Sequence, residues 1–504
     1  MNMHPWCANS TSMFRLRPTS FLLAIASAMI LATGCGGGST GSTKPTFGDS
    51  GPTLSGNTTV VLMASSTAND QLTGFPSEIK SLTLTNMEGK QVALISSPVD
   101  EEFIHLNGTV EPLATLSIPQ DIYFVATAET DTMDPLCSGQ IPGELYSDQM
   151  ANTLGVTVNL PTPITVTGSA MGLVLDLDVT KSTPFSGACP TPADFATVPQ
   201  TASVFNLTPM TIAAQPTNVT NGKAFGLRGI VSSVATSGSS LTVSSLSSYS
   251  SLNSPSWTAT VNSVTAFQGG LSATQLVAGS AVEMDVTIQQ DGSLLATRIA
   301  PIDGDLPNLS VATGPLLGVW ASEPAVLFEG ITQEGLLSPY LGGGQNYDIG
   351  SATFQVSSQL TNLAALPFTA SFSAANAVVG QRVLVGTQAA SIEQGPNYLP
   401  LTEVTLVPQT IDGTVRAIST QGNFTTYTVQ LAPYDLFPIL AVQPGQTTQL
   451  TTPDTIVAYT DTNTQMLNSG VVSVGSTIRL HGLIFNDGGT LRMDCVQVSD
   501  GVQE

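Results

Sequence analysis

Few residues in this chain have the types and spacing that chemistry requires. Gly37-Gly38-Ser39-Thr40-Gly41 spells the G-x-S-x-G of a nucleophile elbow, but that serine must sit between a strand and a helix, and here it lies in a Gly- and Ser-rich stretch. Ser77-Glu78-Ile79-Lys80 has the S-x-x-K spacing of acyl-serine enzymes, yet neither S-D-N nor K-T-G occurs and the tetrad runs into a strand-like segment. Of the three histidines, His105 and His481 lie beyond the leader. They are expected in different domains, one in a surface loop and one in a strand, which starves a Ser-His-Asp arrangement. Asp176 and Asp178 alternate along one strand-like segment, so both carboxylates project to one face and could hold calcium or share a proton; the alternative is a solvated outer face with Leu175 and Leu177 inward. Glu129, Asp131 and Asp134 form another acidic segment, without the spacing or central glycine of an EF-hand. Trp257, Trp320, Tyr340 and Tyr347 fall in or beside predicted loops, where rings either stack on sugars or a protein partner or pack into a core.

The cysteines sort by position. Arg15 and Arg17 precede the apolar run Phe21 to Ala32, which is 12 residues long and ends at Thr33-Gly34-Cys35. That is the pattern of a cleaved export signal, too short to span a bilayer. Leu31-Ala32-Thr33-Gly34-Cys35 resembles the lipobox of bacterial lipoproteins, with Ala32 where that family prefers leucine. The resemblance implies that Cys35 is acylated and becomes the first mature residue, and that the membrane is a partner through this lipid. Gly36, in place of an aspartate, implies the outer membrane. Cys7 leaves with the leader, or is never made if Met13 is the start. Cys137 and Cys189 lie 52 residues apart in turn-rich segments of one expected domain, a spacing that suits a disulfide in an exported chain. Cys495 falls within a strand-like run. With no CxxC pair and no Cys/His cluster, no metal site and no cofactor are expected.

Composition narrows the class. The chain has 504 residues, 36 acidic against 13 basic, for a net charge of -23, and only 10% of its residues are charged. Nucleic acid is excluded as a partner, because neutralising phosphate needs clustered Lys and Arg. A hydrophobic content of 41% supplies several packed cores. Beyond residue 35 no apolar run approaches the roughly 18 residues of a membrane helix. Short segments rich in Val, Ile, Thr and Leu alternate with Gly, Pro, Asn and Ser throughout, which predicts an all-β protein.

The spacing predicts a signal peptide over 1–34, a flexible tether over 35–56 spanning roughly 25 Å, a β-sandwich (Ig-like or prealbumin-like) over 57–215, and three small OB-like barrel or sandwich domains over 216–305, 306–409 and 410–504. In the sandwich region SEIKSLTLTNMEG, LATLSIPQDIYFVATA, ITVTGSAMGLVLDLDVTKS and VFNLTPMTI succeed one another, and this order resembles the domain-of-unknown-function family 4382. The three later domains repeat a pattern aligned on Gly279, Gly380 and Gly475, 101 and 95 residues apart, a period of whole domains. Gly229-Ile230-Val231, the strand after Gly279 and the closing Asp291-Gly292-Ser293-Leu294 resemble the domain-of-unknown-function family 5666, as do their counterparts ending in Asp487-Gly488-Gly489. The middle copy, with Val379-Gly380-Gln381-Arg382, lacks the D-G hairpin. Each D-G supplies the φ > 0 that a tight strand reversal requires, and each aligned glycine is expected to turn the chain into a long central strand.

No catalytic constellation emerges. A lipid-anchored cell-envelope protein is expected, non-enzymatic, acting as a binding or structural module toward polysaccharide or another envelope protein. The rival is an envelope hydrolase using carboxylates, which would show two converging in a cleft, one with a shifted pKa. A passive spacer would show neither that pair nor an exposed aromatic or apolar surface.

Overall fold

The computed structural model describes residues 54–500 except 68–71, 107–108, 134–135, 142–143, 150–154, 184–200, 213, 215–221, 247–252, 303–309, 321–324, 331, 335–342, 349–351, 358–362, 388–398, 434, 443–449 and 468–470. For strand residues 73, 131–149, 310–312, 317, 319–348, 387, 399–400 and 500 it describes the backbone alone. The regular structure of the described residues is almost entirely strand, so the chain is all-β. No described helix is long and apolar enough to cross a membrane.

The first domain contains two five-stranded sheets. One orders Val156–Asn159, Ser203–Pro209, Ala170–Leu177, Asn57–Ser66 and Glu111–Pro119. The other orders Ile164–Val166, Asp121–Met133, Pro76–Asn86 and Gln91–Ile95, with Val99–Glu102 also paired to Pro76–Asn86. Alternating apolar residues supply the core they share: Val60 and Leu62, Leu173 and Leu175 from the first sheet meet Leu82 and Leu84 from the second. Each such side chain contributes about 1.5–3 kcal/mol on full burial.

Two closed five-stranded barrels follow the plan of an OB-like fold. In the first, Lys223–Val234, Ser240–Ser245 and Ser256–Thr260 are strands one to three, and Ala281–Ile288 and Leu294–Pro301 are strands four and five. Strand one pairs with two and four, and strands three and five close the barrel in parallel at Ala259 and Leu294. Gln409–Gln421, Phe424–Leu431, Thr455–Thr460, Thr477–Asp487 and Thr490–Asp500 repeat this order, closing at Ile456 and Leu491. The middle copy keeps it too. Ser310–Trp320 pairs with Ala325–Gly330 and Arg382–Thr387, and the fifth strand, broken into Leu399–Pro400 and Glu403–Leu406, pairs in parallel with Gly343–Asp348 at Leu399.

One device recurs in all three copies. Gly279, Gly380 and Gly475 have φ of 93°, 94° and 92°. Each donates its N–H to strand one, at Val231, Leu316 and Val415, and the next residue's carbonyl accepts from that same strand-one residue. Strand one bulges just beyond, between Val231 and Ser233, Leu316 and Gly318, and Val415 and Ala417. The D-G hairpins also take positive φ, at Gly292 (82°) and at Gly488 and Gly489 (61° and 93°).

The domains are fused through their cores. Val61 and Met63 of the sandwich join the core of the first barrel, and Leu483 and Phe485 of the last barrel join the core of the middle one. Gly292, at the first barrel's hairpin, lies so close to Gly172 of the sandwich that a Cβ there would stand 2.6 Å from the Gly172 Cα. Glu283 accepts a hydrogen bond from Ser357 Oγ at 3.1 Å, linking the first and middle copies.

Candidate functional site

A charged cluster forms where three domains meet. The strand Val99–Glu102 lies against Pro76–Ile79 and ends in Asp100, Glu101 and Glu102, all nearly inaccessible at 2%, 1% and 0% exposure. Alternation along a strand would put at least one of them in water; here both faces are covered. Burying such carboxylates costs several kcal/mol each unless they are paired and hydrogen-bonded. Glu102 meets that condition: Oε1 accepts from the Phe75 and Ile104 N–H groups at 2.7 and 2.8 Å, and Oε2 from the His105 N–H at 3.0 Å. These bonds fold Ile104–Leu106 into a 3-10 turn that carries His105 back over the cluster. His105 Nδ1 lies 3.1 Å from Glu102 Oε2, and Nε2 lies 3.3 Å from Glu111 Oε1 at the start of the next strand. Arg382 of the middle copy approaches Glu102 Oε2 at 3.9 Å.

These neighbours set the titrations. Burial alone would lower His105, but the Glu111 and Glu102 carboxylates outweigh it and bring its pKa to about 10. Burial would raise Glu102, yet the His105 bond and charge, with Arg382, leave it below its ordinary value. For Glu101 burial wins, despite the His105 charge, and its carboxyl is pushed well up. One ligand atom each from Glu101, His105 and Glu111 lie within 4.8 Å of one another.

His481 faces the same place. It lies in strand four of the last barrel, its Nδ1 2.8 Å from Thr410 Oγ1, and it lines with His105, Ile104, Arg382, Gln409 and Thr410 a cavity of about 80 Å³. Burial, then the Arg382 and Arg479 charges, push its pKa down to about 4. Two histidines expected to be kept apart by their domains therefore converge, and His105 belongs to this turn instead of a surface loop. Asp100-Glu101-Glu102, a run of three acids in a chain poor in charge, did not stand out in the sequence, though it was the available signal for this site.

A second concavity, about 700 Å³, lies between the first and last barrels. Phe225, Phe424, Asn423 and Asn463 line it together with Asp285, Asp461 and Asp494, and no Lys or Arg does so among the described residues. Asp285 is held by Arg298 at 2.6 and 3.0 Å. Asp461 forms a turn, Oδ1 accepting from the Asn463 and Thr464 N–H groups and Oδ2 from Asn463 Nδ2. The Asp494 carboxyl has no hydrogen-bond partner among the described residues, and burial followed by the Asp461 charge pushes its pKa to about 7. Neither Asp461 nor Asp494 stood out in the sequence, since each reads as an outward polar residue.

The other candidates fall elsewhere. Asp176 accepts from Ser65 Oγ, while Asp178 lies past the strand end, capping the turn Val179–Ser182 through the Lys181 N–H and pairing with Lys181 Nζ at 2.6 Å. Both carboxylates already have protein partners. Trp257 is a core residue at 2% exposure. Glu129 is exposed on the strand Asp121–Met133. Ser77 and Lys80 sit three apart on one strand and so point to opposite faces. Cys495 is buried, its thiol donating to the Gln497 carbonyl. Cys35, Gly37–Gly41, Asp134, Cys189 and Tyr340 lie outside the described residues, as do the side chains of Asp131, Cys137, Trp320 and Tyr347.

Comparison with known proteins gives one family. The model of a domain of unknown function (DUF5666) matches residues 228–300, the body of the first barrel. No curated protein and no solved structure matches the chain.

Proposed function

We propose that this chain is a lipid-anchored component of the bacterial cell envelope, a non-catalytic module whose fused β-domains hold out the 700 Å³ groove to a polysaccharide. The lining of that groove is the observation that carries the reading. Two half-buried phenyl rings offer faces to a sugar ring, and Gln421, Asn423 and Asn463 offer amides that can donate to and accept from hydroxyls. Its volume lies in the range of small-molecule sites. Asp285 is neutralised by Arg298, and Asp461 and Asp494 add acceptors for hydroxyl or ammonium groups, so the ligand proposed is a neutral or amino sugar chain. The resemblance around Cys35 to a lipobox supports the anchor, Gly36 after it supports an outer-membrane location, and the resemblance of residues 56–214 to family 4382 supports the same setting.

A carboxylate hydrolase is the rival, favoured by the elevated pKa of Asp494 beside Asp461. The hydrogen bonds of Asp461 speak against it: both oxygens are committed to a turn, which leaves Asp494 without a free partner to act as base or nucleophile.

Two measurements test the reading. In a Gram-negative host, the chain with Cys35 intact should carry acyl mass and stay with the envelope, while Cys35→Ser should be soluble; equal partition with no added mass removes the anchor. The soluble chain on a glycan array should retain neutral or amino glycans without cleaving them, and Phe424→Ala should lose them. Cleavage abolished by Asp494→Asn would establish the hydrolase instead.

A further inference from the structure

We propose that Glu101, His105 and Glu111 bind a first-row transition-metal dication at the joint between the sandwich and the middle and last barrels. The imidazole is prepared for it. Its Nδ1 lies against Glu102 Oε2 at 3.1 Å, a carboxylate that holds the Nδ1 proton, so an ion arriving at Nε2 displaces the second proton, which the Glu111 carboxylate otherwise stabilises. Nε2 is buried, lacks a well-aligned hydrogen bond, and pairs with Glu111 Oε1 at 3.3 Å. Two ligands each 2.0–2.1 Å from a tetrahedral zinc stand about 3.3 Å apart, so this pair already has the separation a shared ion requires.

Glu101 supplies the independent observation. Its Oε1 accepts from the Glu102 N–H at 3.0 Å, but its Oε2 is buried with no donor at all. An unsatisfied carboxylate oxygen in a residue only 1% exposed is costly, and a cation shared with His105 and Glu111 would satisfy it. Three glutamates crowd this spot, and the nearest guanidinium, Arg382, approaches Glu102 and not the other two.

The donor set identifies the class of ion. One imidazole with two carboxylates suits zinc, iron(II) or manganese(II), whereas calcium and magnesium take oxygen ligands. His105 opens on the 80 Å³ cavity, which has room for water as a further ligand. All three protein ligands belong to the sandwich, and Arg382 and His481 of the middle and last barrels line the cavity onto which His105 opens.

Zinc is the probe for the test. The soluble Cys35→Ser chain is stripped with chelator, incubated with zinc chloride and desalted, and its metal content is measured by plasma mass spectrometry alongside thermal unfolding. The expected result is one zinc per chain, undisturbed by excess magnesium, with a raised Tm. Glu101→Gln preserves shape and the acceptor for the Glu102 N–H, so it should fold; it and His105→Gln should lose at least about tenfold in zinc affinity and lose the Tm rise. A folded parent that retains no zinc overturns the proposal, as does a folded Glu101→Gln chain that retains as much as the parent. No glycan enters the measurement, so its outcome is independent of the groove.

Discussion

Replacing Gly292 by alanine would test whether the sandwich and the first barrel are one rigid piece. Two costs arise at this hairpin. The residue has φ of 82°, where a Cβ costs about 1–2 kcal/mol. The added methyl would also stand 2.6 Å from the Gly172 Cα and 3.2 Å from the Val61 Cβ, backbone and strand core of the neighbouring domain. Overpacking of that kind costs about 1–3 kcal/mol. Gly279→Ala is the matched control, since its φ is 93° but nothing lies within 4 Å of its Cβ. Both substitutions gain about 0.4–1 kcal/mol from a stiffer unfolded chain. Subtracting one from the other cancels the backbone strain and this gain, leaving about 1–3 kcal/mol for the domain contact alone. Urea unfolding of the chain from residue 36 onward, with Trp320→Phe, isolates the fluorescence of Trp257, buried in the first barrel's core. Gly292→Ala should unfold at lower urea than Gly279→Ala by that difference. Equal midpoints would refute the contact, and with it the rigid joint.

Two further outcomes follow from buried charge. Asp494 has a pKa of about 7 in the fold against about 3.9 unfolded, so between those values the native state holds more protons, and stability falls as pH rises through the window. Asp494→Asn should therefore match the parent near pH 4 and exceed it by about 2–4 kcal/mol at pH 8, measured by urea midpoints; equal stability at pH 8 would count against a desolvated carboxyl. In the first barrel, Arg298 grips Asp285 at 2.6 and 3.0 Å and Glu283 at 3.0 Å. Arg298→Ala should cost about 3–5 kcal/mol by stranding buried carboxylates, and a change in Tm too small to measure would show that water replaces the guanidinium.

The sequence announces the barrels because their signals are local. A glycine with φ near 93° is needed at one point per copy, and its recurrence at Gly279, Gly380 and Gly475 marks the copies even where Val379-Gly380-Gln381-Arg382 departs in other respects. The middle copy loses its D-G hairpin and still keeps the strand order, because Leu399–Pro400 completes the closure that a continuous fifth strand makes elsewhere. The site is different in kind. Alternation sorts a strand's residues into those facing the core and those facing water, and it labels Glu101 or Asp494 polar and outward without asking what stands outside. For Glu101 that is the sandwich's own next strand together with barrels whose key residues, Arg382 and His481, lie hundreds of positions away; for Asp494 it is the groove against the first barrel. Contacts between folded domains depend on the shape of two finished surfaces, and no short window of residues carries that shape. At Asp100-Glu101-Glu102 the three acids form a covered cluster instead of a solvated edge, with Glu102 satisfied and Glu101 Oε2 left without a donor. The partners of Glu102 come from Phe75 and from the turn that follows it, at 2.7 to 3.1 Å, and Arg382 of the middle copy adds its charge from 3.9 Å.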